Sequence, residues 1–400
     1  MKKSFKRFFE KIIEGILILS SSITTVTLFM IVFFLFSEGL SLFRESPLEK
    51  GDIIAINTKN TITHLKAEQI KNIFDQNIVN WKEIGGKNDS IILLTINELD
   101  VFFSEEELGP NFEFLPHKLD SLVRMNSGII VIIPEKYLTK NFSGRIISID
   151  KNNIPDFFSG HLWFPTAHPA VQLGILPLLL GTLLVSFGAI AIALPIGLAT
   201  AIYMAEVAEE RTRKWMKPLI ELLAGIPSVV YGFFGLIIIV PYIQKIFDLP
   251  VGETALAGSV VLGIMALPTI ITVSEDAIRN TPREMKEASL ALGANKLQTI
   301  FRVILPYSIS GITAAAILGI GRAMGETMAV LMVTGNAAVI PHSILVPVRT
   351  IPATIAAELG EAPQGGIHFK ALFALGCVLF LLTMIINIWV EYISSKRKHN

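Results

Sequence analysis

The chain has 400 residues, and its 34 basic and 34 acidic side chains give a formal net charge of zero, which offers nothing to attract nucleic acid. Hydrophobic residues make up 52% of it and the mean hydropathy is +0.58, values that exclude an ordinary soluble protein and are typical of a chain that crosses a membrane several times. The single cysteine, Cys377, excludes an intrachain disulfide and a cysteine-based metal site. No Gly-x-x-x-x-Gly-Lys-Ser/Thr motif is present, so we expect no ATP hydrolysis by this chain, no catalytic residues, no metal and no cofactor.

Six apolar segments are long enough to cross the roughly 30 Å hydrocarbon core of a bilayer. They are residues 15–36, 173–205, 222–244, 255–274, 309–335 and 371–390. No small-x-small cleavage site follows the first segment, so we expect a retained anchor and not a signal sequence. The second segment is too long for a straight crossing, and we expect it to tilt, to begin outside the membrane, or to kink at Pro177 or Pro195.

Basic residues are concentrated on one side of this arrangement. Seventeen Lys and Arg lie before the first segment, at 211–217, at 279–302 and at 396–398. The short loops on the other side contain only Lys245, Arg349 and Lys370. By the positive-inside rule, we expect a multi-pass protein of the cytoplasmic (inner) membrane with both termini cytoplasmic and residues 38–172 largely extracytoplasmic.

The composition changes at residues 45–155, where polar and charged side chains interrupt the apolar runs; we call this segment the insert. Its apolar runs predict strands at 52–56, 91–96 and 129–133 and a helix at 66–74. A small α/β domain of about 110 residues fits the ordinary size of a domain. We therefore expect residues 1–44 to form the N-terminus and first span, 45–155 the insert, 156–172 a linker, and 173–394 a helical core with five spans.

Part of the insert resembles periplasmic phosphate-binding proteins. The resemblance is carried by residues 62–74 and by Asn80-Trp81-Lys-Glu-Ile-Gly-Gly86, and residues 127–137 are similar to another strand of those proteins. In that family an arginine and a Ser-Gly-Thr run follow and help to hold phosphate, and residues 91–103 contain neither. We interpret the insert as a truncated lobe that docks a separate binding protein or packs on the membrane-spanning part of the chain; residual solute binding is the alternative.

The loop between the fourth and fifth segments, residues 276–306, predicts a rigid helix. Thr281 with Glu284 forms a capping box, Pro282 suits the first turn, and Gly293 is a plausible stop, which together predict a helix over 282–292. Met285, Ala288, Ser289 and Leu292 would then share one face. A helix lying on lipid is one interpretation; because the face is small and lacks aromatic anchors, we favour a knob that fits a groove on a cytosolic protein.

The same loop resembles the EAA loop of ABC-importer permeases. Glu287-Ala288-Ser289, then Gly293, then Val303-Ile-Leu-Pro306 keep that family's spacing, with Ser289 and Val303 as mild departures. The resemblance implies the six-helix type I importer (MetI-like) permease fold and a loop that docks into a cleft of a separate ATPase subunit. The residues it assigns to this coupling are Glu287, Ala288, Ser289, Gly293, Leu305 and Pro306.

The fifth segment contains the most unusual residues of the chain, Arg322 and Glu326, which are the only charged side chains between Tyr307 and Pro347. A lone charge at mid-bilayer costs about 2.5–3.5 kcal/mol, so such residues usually face a protein interior, a partner or a water-filled path. On a helix, their spacing of four places both on one face. Gly319, Gly321 and Gly325 would let a helix or a solute approach the backbone closely. A structural ion pair and a polar station on a transport path are both open interpretations.

Three further stretches resemble phosphate importers, and in particular their PstC-type permease subunit. They are residues 181–206, residues 221–232, and Gly321-Arg-Ala-Met-Gly-Glu-Thr-Met-Ala-Val330 followed by Gly335-Asn336. The resemblance covers about residues 157–393 and implies a substrate path that includes Arg322, Glu326 and Thr327. Since a guanidinium matches phosphate oxygens, Arg322 is expected to attract inorganic phosphate, and Glu326 to moderate that attraction or to exchange a proton or hydrogen bond.

The resemblance also implies a complete assembly in the lipid bilayer. The expected partners are a PstA-like permease, two PstB-like ATPases and a PstS-like phosphate-binding protein, and the expected mechanism is alternating access driven by ATP. A permease for another oxyanion, such as sulfate, molybdate or phosphonate, is the nearest alternative. A membrane-anchored phosphate sensor that uses the insert as its receptor domain is the alternative from another functional class.

Overall fold

The computed structural model describes residues 2–48 and 51–397 and contains six helices, within those residues, that are long and apolar enough to cross a membrane. We number these spans 1 to 6 in chain order: Ile13–Arg44, Leu176–Val207, Ser228–Ile246, Ala255–Arg279, Lys296–Gly325 and Ile367–Tyr392. The predicted all-α polytopic class with an α/β region after the first span is confirmed.

The bounds of two spans differ from the prediction for physical reasons. Span 3 begins at Ser228 and not at residue 222, because Gly225-Ile226-Pro227 ends a separate helix, Glu210–Ala224, and proline cannot continue a helix of backbone hydrogen bonds. Span 5 ends at Gly325, ten residues before the predicted end, because Glu326 adopts an extended backbone. Hydropathy did not reveal this break, since the residues after it are again apolar.

The helices outside the α/β region follow one another with short connections. They are Lys2–Ser41, Leu176–Ile202, Glu210–Ala224, Ser228–Phe234, Val240–Ile246, Ala255–Arg279, Arg283–Ala291, Lys296–Thr299, Leu305–Gly325, Met328–Val333, Ile351–Glu358 and Ile367–Arg397. One-turn π-helical segments at Tyr203–Val207, Gly235–Ile239 and Ile300–Ile304 join neighbouring pieces. The described chain divides into two compact units, and these helices supply nearly all of the first, which covers residues 2–40, 176–364 and 372–397.

Span 4 is the centre of the first unit, with 61% of its apolar window buried. Its small residues allow close packing against span 2, where Gly188 lies against Ser259 and Gly258 lies against Val185. The loop after span 5 returns to the start of span 4, whose Leu256 N–H donates to the carbonyl of Ile344 at 2.8 Å. Span 4 is therefore held along its length.

The second compact unit contains Ser41–Ile175 and Gly365–Ala371. Its strands are β1 (Asp52–Ile56), β2 (His64–Leu65), β3 (Ile92–Thr95), β4 (Ile129–Pro134), β5 (Arg145–Ile149), β6 (Trp163–Phe164) and β7 (Gln172–Leu173). Its α-helices are Ala67–Phe74, Leu99–Phe102, Glu105–Leu108, Leu115–Met125 and Ile154–Ser159. The first five strands form one mixed sheet in the order β2-β5-β1-β4-β3, and β6 pairs with β7. The three predicted strands and the predicted helix are confirmed as β1, β3, β4 and Ala67–Phe74.

The sheet separates two apolar layers in the way that strand alternation requires. Ile54 and Ile56 of β1 face one layer, which contains Trp81 and Ile70, whereas Ala55 faces the other. The indole N–H of Trp81 donates to the carbonyl of Gly128 at 2.8 Å, so this buried polar group is satisfied. The second unit thus has its own core.

Candidate functional site

Arg322 lies in the last turn of the helix Leu305–Gly325, with its side chain half-buried. Its Nη1 atom is 3.5 Å from the hydroxyl oxygen of Thr269 on span 4, and Tyr231 of span 3 lies within electrostatic range. The guanidinium therefore sits among three spans and not on an outer face of a single helix. Among the residues that the structure describes, this long hydrogen bond is the only one that Arg322 donates, so most of its donors are available to another group.

Glu326 does not share a helix face with Arg322, and that prediction was wrong. The helix ends at Gly325, and Glu326 has φ −72° and ψ 131°. Its carboxylate instead accepts the N–H of Ala329 at 3.4 Å, in the first turn of the next helix, Met328–Val333, whose N-cap residue is Thr327. Within the described residues, Arg322 and Glu326 form no ion pair with each other, which removes the structural ion-pair interpretation in the form predicted.

A small void lies beside this break in the helix. Its total empty volume is about 160 Å³, but no point within it is wide enough for a water molecule. Its lining includes Glu326, Thr182, Ser186 and Thr350. The Thr182 hydroxyl accepts the N–H of Ile351 at 2.9 Å. Thr327 begins the next helix, and its carbonyl accepts the N–H of Leu331 at 3.0 Å. A helix break at membrane depth is tolerated where the backbone is buried in protein or lines a cavity. Here the break at Glu326 lies beside the void.

The glycines near Arg322 face different surroundings. A Cβ atom added to Gly319 would lie 3.0 Å from Ile270 of span 4, so Gly319 permits helix packing within this chain. A Cβ added to Gly321 or Gly325 would meet no atom of this chain within 4 Å. Space is therefore open beside Arg322 on that face of the helix.

The helix of the 276–306 loop covers Arg283–Ala291, and the predicted capping box is absent. Thr281 is 3% exposed, and its hydroxyl forms a hydrogen bond of 3.1 Å with that of Ser308 on span 5, so it does not cap the helix. The predicted stop at Gly293 is confirmed by its φ of +88°. The N–H of Gly293 donates to the Leu290 carbonyl and the N–H of Ala294 to that of Ser289, which is the Schellman pattern.

The residues assigned to coupling are divided between the surface and the interior. Glu287, Ala288, Gly293 and Pro306 are exposed, while Leu305 is half-buried. Ser289 does not lie free on the predicted helix face, because its hydroxyl forms a hydrogen bond of 3.0 Å with the hydroxyl of Thr299. Leu292 is 90% exposed and projects from the end of the helix. An apolar side chain of this exposure is suited to a pocket on another protein.

Sequence reasoning missed the ion pairs that hold this end of the molecule. Lys286 of the loop helix contacts Glu206 at the end of span 2 with an N–O distance of 2.5 Å. Glu275 near the end of span 4 is 1% exposed and contacts three basic side chains, those of Arg213, Lys217 and Arg279. The signal for Glu275 was present, since Ile271 and Ile278, four residues before and three after it, place it on the apolar face of a helix.

A further cavity lies in the second unit, as an open groove of about 260 Å³. Lys66, Lys151 and His161 line it together with Asp150 and Asp156. Because charges of both signs are present, the groove does not have the cationic lining that would select phosphate. Across the described residues, no group of three or more His, Cys, Asp or Glu side chains is placed to bind a metal ion.

The chain is similar to known proteins of one transport family. Residues 193–399 match the family described as "Binding-protein-dependent transport system inner membrane component". The chain is 39% identical over 243 residues to the "Probable ABC transporter permease protein YqgH" of Bacillus subtilis, covering 61% of this chain and 78% of that protein. It is 37% identical over 305 residues to the "Phosphate transport system permease protein PstC 1" of Mycobacterium tuberculosis, covering 66% and 90%.

Two solved structures are each similar to part of the chain. The MetNI methionine ABC transporter in an inward-facing conformation matches with a TM-score of 0.42 and 20% identity, covering 56% of this chain and 94% of that chain. An ABC-type phosphate transport receptor from Vibrio cholerae matches with a TM-score of 0.20 and 23% identity, covering 27% of this chain and 50% of that chain.

Proposed function

Because the chain belongs to the family of inner membrane components of binding-protein-dependent transport systems, we propose that it is the permease subunit of an ATP-driven importer of inorganic phosphate. The Mycobacterium tuberculosis relative carries the name of a phosphate transport permease. The observation that carries the proposal is the guanidinium of Arg322, which lies among three spans, beside open space and just before a break in the helix. This is a place where an anion can be held at membrane depth.

The chemistry of the site suits phosphate. An anion that leaves water needs compensating charge and hydrogen-bond donors, and a guanidinium supplies both in a geometry that matches phosphate oxygens. Arg322 uses one long hydrogen bond to Thr269 and keeps its other donors. Glu326 and Thr327 form the break that follows, where the Glu326 carboxylate limits the positive potential and thus lets the anion leave. Arg322, Glu326 and Thr327 are therefore the proposed substrate path.

The 276–306 loop is the proposed site of coupling to a separate ATPase. Its exposed residues Glu287 and Ala288 and the projecting Leu292 form a short, stiff knob beyond the end of span 4. ATP hydrolysis in that partner would move the knob and change the opening of the path around Arg322, which is alternating access. The proposed partners are a PstA-like permease, two PstB-like ATPases and a PstS-like receptor.

The proposed orientation places both termini and the 276–306 loop in the cytoplasm and the insert outside. It rests on the distribution of basic residues along the sequence. For the insert we propose docking of the receptor or packing on the permease rather than phosphate binding. The mixed charge of the groove in the second unit supports that choice.

The test is uptake by the complete assembly in proteoliposomes. Radiolabelled phosphate supplied with its receptor should accumulate only when ATP is present on the ATPase side. Excess sulfate, molybdate or phosphonate should leave this uptake unchanged. Competition by one of them would identify a permease for that oxyanion instead. Phosphate binding to the purified chain alone with high affinity, located to the insert, would overturn the proposed role of the insert.

A further inference from the structure

The buried carboxylate of Glu275 is the centre of a charge cluster away from the proposed path. One of its oxygens, Oε1, lies 2.9 Å from Nε of Arg213 and 3.7 Å from Nη1 of Arg279, and Oε2 lies 3.6 Å from Nζ of Lys217. Glu275 itself is 1% exposed. Burial of a carboxylate is costly unless it is paired, and here three cations surround Glu275, of which Lys217 also contacts Asp276 at 3.5 Å.

The cluster joins two separate elements. Glu275 and Arg279 belong to span 4, whereas Arg213 and Lys217 belong to the helix Glu210–Ala224. Apolar contacts support the same joint, since Ile220 of that helix packs with Ile271 of span 4 and with Met204. On its opposite side the helix leaves Trp215 and Leu222 exposed. The charged cluster is thus the polar part of the contact that holds the helix Glu210–Ala224 against span 4.

Each joined element leads to a different functional region. Span 4 continues through Asn280, Thr281 and Pro282 into the loop helix Arg283–Ala291. The helix Glu210–Ala224 continues through Gly225-Ile226-Pro227 into span 3.

Span 3 in turn packs against the helix that follows Glu326. A Cβ atom added to Gly232 of span 3 would lie 2.9 Å from Cα of Ala329 and 2.8 Å from the sulfur of Met332. Ala329 is the residue whose N–H the Glu326 carboxylate accepts. Span 3 cannot shift along this contact without displacing the helix Met328–Val333.

We propose that Glu275 is a positioning residue that makes span 4 and the helix Glu210–Ala224 move as one body, so that displacement of the 276–306 loop reaches the helix break at Glu326 through span 3. The inference rests on the proposed function, because it concerns how ATP hydrolysis by a partner is converted into transport. Without the cluster, the loop would still respond to the ATPase, but span 3 would follow it less completely. The defect is therefore in coupling and not in assembly.

The experiment measures phosphate uptake and ATP hydrolysis in the same proteoliposomes, which contain the complete importer. In Glu275→Gln, the ATP hydrolysed per phosphate imported should rise by about tenfold, in the range of coupling effects of residues that contact neither ligand. Arg213→Gln should raise the ratio less, since Lys217 and Arg279 remain, and Arg213→Lys should restore it. Glu210→Gln and Lys214→Gln are matched controls on the same helix, where these two residues form an exposed pair of 2.9 Å.

Two outcomes would overturn the inference. One is an unchanged ratio in assembled Glu275→Gln, whether both rates stay as in the wild type or fall in proportion through loss of intact complex. If Glu275→Gln does not assemble, an unchanged ratio in Arg213→Gln is the other. The ratio can be measured for whichever anion the wild-type complex imports. Failure of the wild-type complex to import phosphate would therefore contradict the proposed function and not this inference.

Discussion

At the scale of single residues, the surroundings of Arg322 bear on the two interpretations that its sequence context leaves open. A charge at mid-bilayer costs about 2.5–3.5 kcal/mol, and a structural ion pair would offset that cost with a carboxylate. Glu326 does not supply that carboxylate, because its side chain accepts the N–H of Ala329 in the helix Met328–Val333. In the described part of the chain, Arg322 has Thr269 as a long hydrogen-bond partner and no carboxylate in salt-bridge range. Its charge is therefore available to a solute.

Replacing Arg322 separates the role of its charge from that of its shape. Arg322→Gln should lower phosphate uptake by about tenfold or more, because hydrogen bonds to a charged donor are among the strongest available to an anion. Arg322→Lys should retain part of the uptake, since the charge remains but the fork of donors does not. Uptake by reconstituted complexes is the measurement, with Lys245→Gln, an exposed cation, as the control. Equal uptake in all three variants would contradict a role in the path.

Glu326 allows its charge and its hydrogen bond to Ala329 to be tested separately. Glu326→Gln keeps an oxygen that can accept the N–H of Ala329, so the helix Met328–Val333 should persist and only the negative charge should be lost. We expect slower release of phosphate, seen as a fall in maximal rate with a lower KM. Glu326→Ala loses that hydrogen bond as well, which costs about 1 kcal/mol, and should also lower the thermal stability of the complex. Wild-type kinetics in Glu326→Gln would show that the charge has no separate role, and identical behaviour of the two variants would show that the hydrogen bond to Ala329 has none.

That Arg322 and Glu326 are unusual was visible in the sequence, but their arrangement was not predictable. The sequence shows Arg322 and Glu326 as the only charged side chains between Tyr307 and Pro347. The break at Glu326 was not predicted, because no proline marks it and apolar residues resume after Thr327, although Gly325 directly before it is a poor helix former. Thr281 shows the same limit: its position before a proline predicts a cap, yet its hydroxyl bonds to Ser308, 27 residues away. Local patterns cannot report partners that only the tertiary fold brings close.

At the scale of elements, the ends of helices were predictable where backbone conformation alone determines them. Gly293 stops the loop helix because the left-handed conformation is easy for glycine only. In the second unit, β1, β3 and β4 were predictable from runs of Ile and Leu, since both faces of the sheet are covered. The two-residue strands β2, β6 and β7 carry no periodic signal, and β5 begins with Arg145, so these strands are set by pairing with neighbours.

Gly293→Ala tests whether the end of the loop helix must keep its shape for the ATPase to bind. At φ +88° an alanine is strained by about 1–2 kcal/mol, although open space surrounds the site and no clash is added. We expect weaker copurification of the ATPase with an unchanged yield of the permease. Gly225→Ala is the matched control, because Gly225 has φ −82° and an added Cβ would make only ordinary contact with Leu222. Equal recovery of ATPase with both variants would contradict docking at this helix end.

At the scale of the whole molecule, the proposed mechanism depends on orientation. The positive-inside rule predicts that the second unit lies on the side of the proposed receptor and the 276–306 loop on the side of the proposed ATPase. Two exposed residues report these faces: Val101 of the second unit is 76% exposed, and Leu292 is 90% exposed. Cys377 is 7% exposed and is the only cysteine of the chain, so its replacement by alanine leaves a clean background for labelling.

In that background, Val101→Cys should react with a membrane-impermeant maleimide in intact spheroplasts, whereas Leu292→Cys should react only after permeabilisation. In inverted vesicles the ATPase should protect Leu292→Cys, because the projecting side chain would be covered by the docked partner. Ser148 of β5 has a small side chain near the surface of the second unit, and Ser148→Cys gives an independent reporter of the same face. Reaction of Leu292→Cys in intact spheroplasts would reverse the orientation, and the coupling role of the 276–306 loop would fall with it.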